Sequence, residues 1–385
     1  MYHFRGIRQR SSNPNIIKKF RPLRDFLLIL PLLLILSCSS RDQQYKAAQA
    51  PIQVMGRHIN ENGAIKFAAS GVTFYMKFQG SHLDVDLQDE FRDSTNYNWF
   101  TVIVDGGAPK RFRTRPGKEW YTLADSLQSG EHKLILSKAT EGQNGHNKLI
   151  AIRTGKLLQP APLPKRKIEF IGDSITCGYG ADPRNVPCDK GNWFDPTHAW
   201  LAYGPRLARH FNAQWMLSSV SGIGMHRNWN SPGPTMPDVY GGVYMEYTDS
   251  ITPWDFSRYT PDLVVIALGT NDFSEGDGKK PRPDLDGDAF VNDYTQFVGR
   301  VHKNYPDARI LLLNSPMFGK SQREKLAGYL QRVIKNRKAA GDSTITRFAF
   351  DKKYDNGCDG HPDFKQQAIM AEQLEPRISS FMGWQ

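Results

Sequence analysis

The chain has 385 residues, 39% of them hydrophobic and 23% charged, enough for two or three domains at roughly 100–200 residues each. Glycine and proline are spread too widely for a fibrous or low-complexity chain, and the composition excludes disorder and a small disulfide-stapled fold. The formal charge of +11 would suit a nucleic-acid binder, but residues 1–37 carry +6 of it through Arg5, Arg8, Arg10, Lys18, Lys19, Arg21 and Arg24 against Asp25. The remainder is only mildly basic, so nucleic acid is not an expected partner.

The basic stretch leads into an apolar run from Phe26 to Leu36. Its length falls in the roughly 7–15 residues of an export-signal core and short of the ~20 that span a bilayer. Ser37 and Cys38 close it in a pattern that resembles a bacterial lipobox. This implies a signal peptide over 1–37, lipidation of Cys38, and a protein exported to the bacterial cell envelope and anchored there by lipid without crossing the membrane. Residues 38–50, rich in Ser, Gln and Ala, read as a flexible tether. Export makes disulfides possible. Of Cys177, Cys188 and Cys358, two can pair and one is left over, and spacing does not say which. No CxxC or HExxH spacing is present, so neither a metal site nor a cofactor is expected.

Residues 51–158 read as β. Val72–Phe78, Leu83–Leu87, Trp99–Val104 and His132–Leu136 alternate polar and apolar side chains, as half-buried strands do. Turns such as Asp105-Gly106-Gly107 separate them. The expectation is an antiparallel sandwich of jelly-roll type. A proline-rich linker covers 159–167.

From residue 168 to 385 continuous apolar runs take over: Ile168–Ile171, Trp215–Val220, Leu263–Leu268, Ile310–Leu313 and Phe348–Phe350. Such runs suit parallel strands covered on both faces. Ala289–Tyr305, Ser321–Ala340 and Asp363–Ser379 carry apolar residues at helical spacing. Five parallel strands with intervening helices predict a flavodoxin-like three-layer α/β domain. Asp284, Asp286 and Asp288 hint at a calcium loop, but Gly287 is misplaced and position 295 is Thr instead of an acid, so a polar turn before a helix is expected.

In an open parallel sheet, functional groups gather beyond the carboxyl ends of the strands. The first run ends in Gly172-Asp173-Ser174, a strand-to-helix turn that exposes a hydroxyl near backbone N–H groups. The second ends in Ser221-Gly222, a backbone donor with no side chain in the way. The third ends in Gly269-Thr270-Asn271-Asp272, an amide at the same edge. Before the last helix stands Cys358-Asp359-Gly360-His361, a candidate general base. Each is weak alone, and their shared location is the signal.

Together and in this order these blocks resemble the SGNH (GDSL) hydrolase superfamily. With the β-rich domain, Trp254-Asp255-Phe256-Ser257 and the Gly-Cys-Asp-Gly-His-Pro block, the chain is similar to carbohydrate esterase family 2. The resemblance implies a serine esterase with Ser174 as nucleophile, His361 as base, and Ser174, Gly222 and Asn271 as oxyanion donors. Many superfamily members place the triad acid three residues before His, where this chain has Cys358. Asp359, one residue closer, takes that role in this reading, or a backbone carbonyl replaces it. Asp173 would order the turn and Asp272 would buttress Asn271. The implied substrates are acetylated plant-type polysaccharides such as xylan or glucomannan, including 6-position acetyls of hexoses. No coiled-coil pattern is evident in the sequence, so a monomer is expected. Trp193, Trp229, Tyr240 and Trp254 are candidate sugar-stacking or packing residues. The rival readings are a lipid or other short-acyl esterase of the same fold and a carbohydrate-binding lipoprotein with an inactive hydrolase domain.

Overall fold

The computed structural model describes residues 42–90, 95–117, 119–246, 251–279 and 282–385. The expected export signal, Cys38 and the start of the expected tether lie outside the described residues.

The remainder of the expected tether is built into the fold. Strand β1 (Gln43–Lys46) pairs antiparallel with residues 151–154, and Ala47 is buried. Its polar side chains are mostly exposed, so backbone pairing alone makes it a strand and no hydrophobic alternation announces it. Nine more strands complete a ten-stranded antiparallel sheet: β2 (Gln53–Met55), β3 (His58–Glu61), β4 (Ala64–Phe67), β5 (Thr73–Glu90), β6 (Trp99–Val104), β7 (Lys110–Arg113), β8 (Trp120–Ala124), β9 (Glu131–Lys138) and β10 (His146–Leu158).

The two short strands expected at 72–78 and 83–87 are a single strand, β5, which bends at Gly80. A φ of 141° there is open to glycine and strained for any residue with a Cβ. Before the bend β5 pairs with β9, and after it with β8, while β10 follows almost its whole length. This exchange of partners wraps the sheet over on itself. Phe74, Phe78, Leu83, Val85, Leu87, Phe100, Leu136 and Leu149 fill the interior.

The second sheet is wholly parallel. It contains β11 (Arg166–Gly172), β12 (Ala213–Ser219), β13 (Leu263–Ala267), β14 (Arg309–Leu313) and β15 (Ile345–Phe348), in the order β12-β11-β13-β14-β15, the flavodoxin-like arrangement. Helices α1 (Ser174–Cys177), α2 (Tyr203–His210), α3 (Met236–Val239), α4 (Gly287–Asn304), α5 (Lys320–Ala339) and α6 (Phe364–Met382) accompany it. Val264 and Ile266 face Phe290, Phe297, Leu326 and Leu330 of α4 and α5. Their neighbours Leu263 and Val265 face Leu207, Met370 and Leu374 of α2 and α6. Both faces are therefore covered, which is why the strands read as unbroken apolar runs.

The last strand lies upstream of the Phe348–Phe350 run. At the sheet edge, with Thr346 and Arg347 only partly buried, β15 lacks the apolar signature, and Phe350 instead packs beyond its end. The eight-residue α2, with Gly204 and Pro205 inside it, also escaped the periodicity reading. Asp286 caps α4 by accepting from the Asp288 and Ala289 N–H groups at 3.0 Å, so the Asp284–Asp288 segment is a helix entry.

The described residues form one compact unit. Arg57 of the sandwich and Glu169 of β11 make an ion pair at 3.2 Å with both side chains fully buried. Arg57 also donates to the Tyr240 and Gly242 carbonyls at 2.7 Å and lies over the rings of Tyr240, Trp254 and Phe256. The Trp215 indole N–H donates to Gly71 O at 3.0 Å. The 159–167 linker is docked: Pro164 O accepts from Gln214, and Arg166 and Lys167 already belong to β11.

Candidate active site

Four segments converge at the carboxyl edge of the parallel sheet. At the end of β11, a side chain on Gly172 would fall 2.1 Å from Thr176 Oγ1, so the strand can turn into α1 only through glycine. Asp173 caps that helix, its Oδ1 accepting from Ile175 N–H at 3.0 Å. Ser174 follows, 7% exposed.

His361 Nε2 lies 2.8 Å from Ser174 Oγ. Its Nδ1 is 3.1 Å from Cys358 O and 3.2 Å from Asp359 O. Carbonyl oxygens only accept, so Nδ1 carries the proton and Nε2 offers its lone pair to the serine hydroxyl. Burial holds the His361 pKa below its ordinary 6.5, with the two carbonyls and then the Asp359 charge opposing it. The imidazole is therefore neutral at pH 7, as a base must be.

The Asp359 carboxylate does not reach Nδ1. It accepts from the Tyr179 hydroxyl, while only the Asp359 main chain faces the imidazole. The short spacing explains this correction. Asp359 (φ 51°) and Gly360 (φ 68°) are both left-handed, and the tight turn they form aims carbonyls at the ring. Cys358 is paired with Cys188, Cα to Cα 5.1 Å, which ties the 178–198 segment to the histidine turn and leaves Cys177 as the buried thiol.

Gly222 adopts φ 76° with open space where a side chain would stand, and its N–H meets no protein acceptor among the described residues. Asn271 Nδ2 donates to Ile223 O at 2.7 Å and lies 3.4 Å from Asp173 Oδ2. Burial raises the Asp173 pKa to about 7, helped by the charge of Asp272. Asp272 supports a different segment from the one expected: its carboxylate accepts from the Met225, His226 and Arg227 N–H groups at 2.7–2.9 Å, bracing the loop after Gly222.

Ser174, Gly222, Asn271 and His361 share one cleft of about 780 Å³. Trp193 and Trp229, 47% and 46% exposed, stand in its wall. Tyr240 and Trp254 are buried around Arg57 and take no part. The sequence reading missed Tyr179, Met317, Phe318 and Gln143, which also line the cleft. Tyr179, between two glycines just past the Ser174 turn, carried a local signal; Gln143 comes from the other domain and carried none. Among the described residues no group of three or more His, Cys, Asp or Glu side chains could hold a metal ion.

Residues 54–164 match the carbohydrate esterase 2 N-terminal domain, and residues 170–362 match the GDSL-like lipase/acylhydrolase family. An acetylxylan esterase / glucomannan deacetylase of Cellvibrio japonicus is 31% identical over 354 residues, covering 90% of this chain and 94% of the relative. The chain belongs to carbohydrate esterase family 2. It is a carboxylic ester hydrolase, with the antiparallel β domain and five-stranded α/β domain of that family.

The cellulase/esterase CelE of Acetivibrio thermocellus is 35% identical over 328 residues, 83% of this chain; the chain spans 38% of that longer protein. A solved family two carbohydrate esterase from Clostridium thermocellum, in complex with cellohexaose, has a TM-score of 0.78 at 31% identity and covers 87% of this chain and 100% of that one.

Proposed function

We propose that this family two esterase removes O-acetyl groups from plant-type polysaccharides, acetylated xylan or glucomannan, through an acyl-enzyme on Ser174. The observation that carries the reading is the 2.8 Å contact between Ser174 Oγ and a His361 whose proton is held on the far nitrogen. His361 Nε2 takes the hydroxyl proton as Oγ bonds to the acetyl carbonyl carbon. The oxyanion forms among the Ser174 and Gly222 N–H groups and the Asn271 amide, where losing one donor typically costs about 10²–10³ in turnover. Collapse breaks the bond to the sugar oxygen, which receives the proton from His361. Water, deprotonated by the same imidazole, then releases acetate and restores Ser174.

The substrate class draws support from the Cellvibrio japonicus relative, named for xylan and glucomannan, and from the Clostridium thermocellum structure holding cellohexaose. The two exposed indoles suit the apolar C–H faces of sugar rings. A second hollow of about 820 Å³ shares Gln143, Ser221, Gly222 and Trp229 with the cleft and offers room for neighbouring sugar units. Anchorage through a lipid on Cys38, in the cell envelope and as a monomer, belongs to the same proposal; the pattern of residues 1–38 supports the anchor.

The test is acetate release from acetylated xylan and acetylated glucomannan by the full chain in mild detergent, beside Ser174→Ala. Release that falls at least about a thousandfold in the variant is expected. Equal release by both proteins would remove the acyl-enzyme. Cleavage of 4-nitrophenyl acetate without release from either polymer would keep the esterase and remove the polysaccharide.

A further inference from the structure

Ser174 and the Gly222 N–H arrive on separate segments, the turns after β11 and β12, so turnover depends on what holds those turns together. Among the described residues, two side chains reach both. One is Asn271, already among the oxyanion donors. The other is Glu141, which lies between β9 and β10 in the N-terminal domain and is 0% exposed.

Glu141 Oε2 accepts from Ser221 N–H at 2.8 Å, and Oε1 from the Ser221 hydroxyl at 2.5 Å. Cys177 Sγ, in the short helix that Ser174 opens, lies 3.6 Å from Oε2 and 3.2 Å from Ser219 Oγ. Gln143, two residues on, donates its Nε2 to Ser221 O at 2.8 Å. The loop that carries both is itself held by buried Lys138, whose Nζ donates to the carbonyls of Ala68, Glu141 and Gly145.

The peptide geometry gives these contacts their consequence. Ser221 C=O and Gly222 N–H belong to one planar trans unit and point in opposite directions. Gly222, at φ 76°, has no side chain, and nothing lies within 4 Å of where a Cβ would stand, so no side-chain contact of its own holds that plane. Holding Ser221 O therefore fixes the direction of the Gly222 N–H, which lies on the opposite side of the same peptide plane.

We propose that Glu141 and Gln143 are positioning residues for the hydrolysis: the N-terminal domain sets the oxyanion donor of the catalytic domain against its nucleophile. This rests on the serine-esterase reading above. It makes the β domain a working part of the active site, and it separates Glu141 from a buried acid that merely joins two domains.

The experiment measures kcat and KM for 4-nitrophenyl acetate, and inhibition by phenylboronic acid, with the full chain and its Glu141→Gln and Gln143→Leu variants. A boronate on Ser174 places an oxygen where the oxyanion forms. Glu141→Gln can satisfy only one of the two Ser221 donors, and Gln143→Leu removes the grip on Ser221 O without burying a charge. Misaiming one donor forfeits part of the 10²–10³ it supplies, so kcat should fall about 10- to 100-fold in each. KM should change less than about threefold, and boronate affinity should fall in step with kcat/KM. Should Glu141→Gln fail to fold, Gln143→Leu decides alone. An active wild type whose folded variants keep kcat within about twofold, or lose kcat with boronate affinity unchanged, overturns the proposal. A wild type that does not cleave the ester overturns the esterase reading with it.

Discussion

Replacing Asp359 by Asn tests whether a carbonyl or a carboxylate serves His361. In a full Ser-His-Asp triad the same exchange costs about 10⁴ in kcat, because the imidazole is left in the wrong tautomer. Here the Nδ1 proton points at Cys358 O and Asp359 O, both main-chain atoms that the substitution leaves in place. Asn is tolerated at φ 51°, and its carbonyl oxygen can still accept from Tyr179. The expected loss in kcat is therefore under about fivefold, against 10⁴ for a triad acid. A second effect has a definite sign. The Asp359 charge raises the His361 pKa against the larger lowering by burial, and the base works only when neutral. Activity is lost as pH falls through that pKa, so removing the charge should move the acid limb of the pH profile to lower pH. The assay is kcat/KM for 4-nitrophenyl acetate across the acid range. A loss of about a hundredfold or more, with the limb unmoved, would show that the carboxylate turns to Nδ1 during turnover and refute the carbonyl argument.

Reduction of Cys188–Cys358, or the paired Cys188→Ser, Cys358→Ser variant, should cost about 2–5 kcal/mol in urea unfolding. Because Cys358 O is one of the two Nδ1 acceptors, kcat should also fall several-fold in protein that remains folded; unchanged turnover would separate the disulfide from the histidine turn. Trp193→Ala and Trp229→Ala should each raise KM for acetylated polymer about 2- to 10-fold, the range of one aromatic contact, while kcat for 4-nitrophenyl acetate stays near wild type. Equal effects on polymer and small ester would show that the indoles shape the reacting centre and do not stack on sugar.

The site was legible where chemistry and strand ends coincide in the chain. Ser174, Gly222, Asn271 and His361 each follow an apolar run or precede the last helix, so knowing that a parallel sheet presents its carboxyl ends to one edge was enough to gather them. The choice between the Asp359 carboxylate and a backbone carbonyl stayed open, because its distance from His361 in sequence says nothing about the left-handed turn that carries the carboxylate to Tyr179. The pairing of Cys188 with Cys358 across 170 residues had no local signature at all.

The sequence by itself determined the order of the antiparallel and parallel sheets, the helices that cover the parallel one, and which residues meet at its carboxyl edge. These depend on periodicity and on residue types near one another in the chain. Tertiary structure alone decided that β1 is part of the sheet, that Arg57 and Glu169 lock the domains, and that Glu141 and Gln143 hold the turn before Gly222. Each of those contacts joins residues dozens to more than a hundred positions apart, where burial and hydrogen-bond geometry, absent from any local pattern, select the partner.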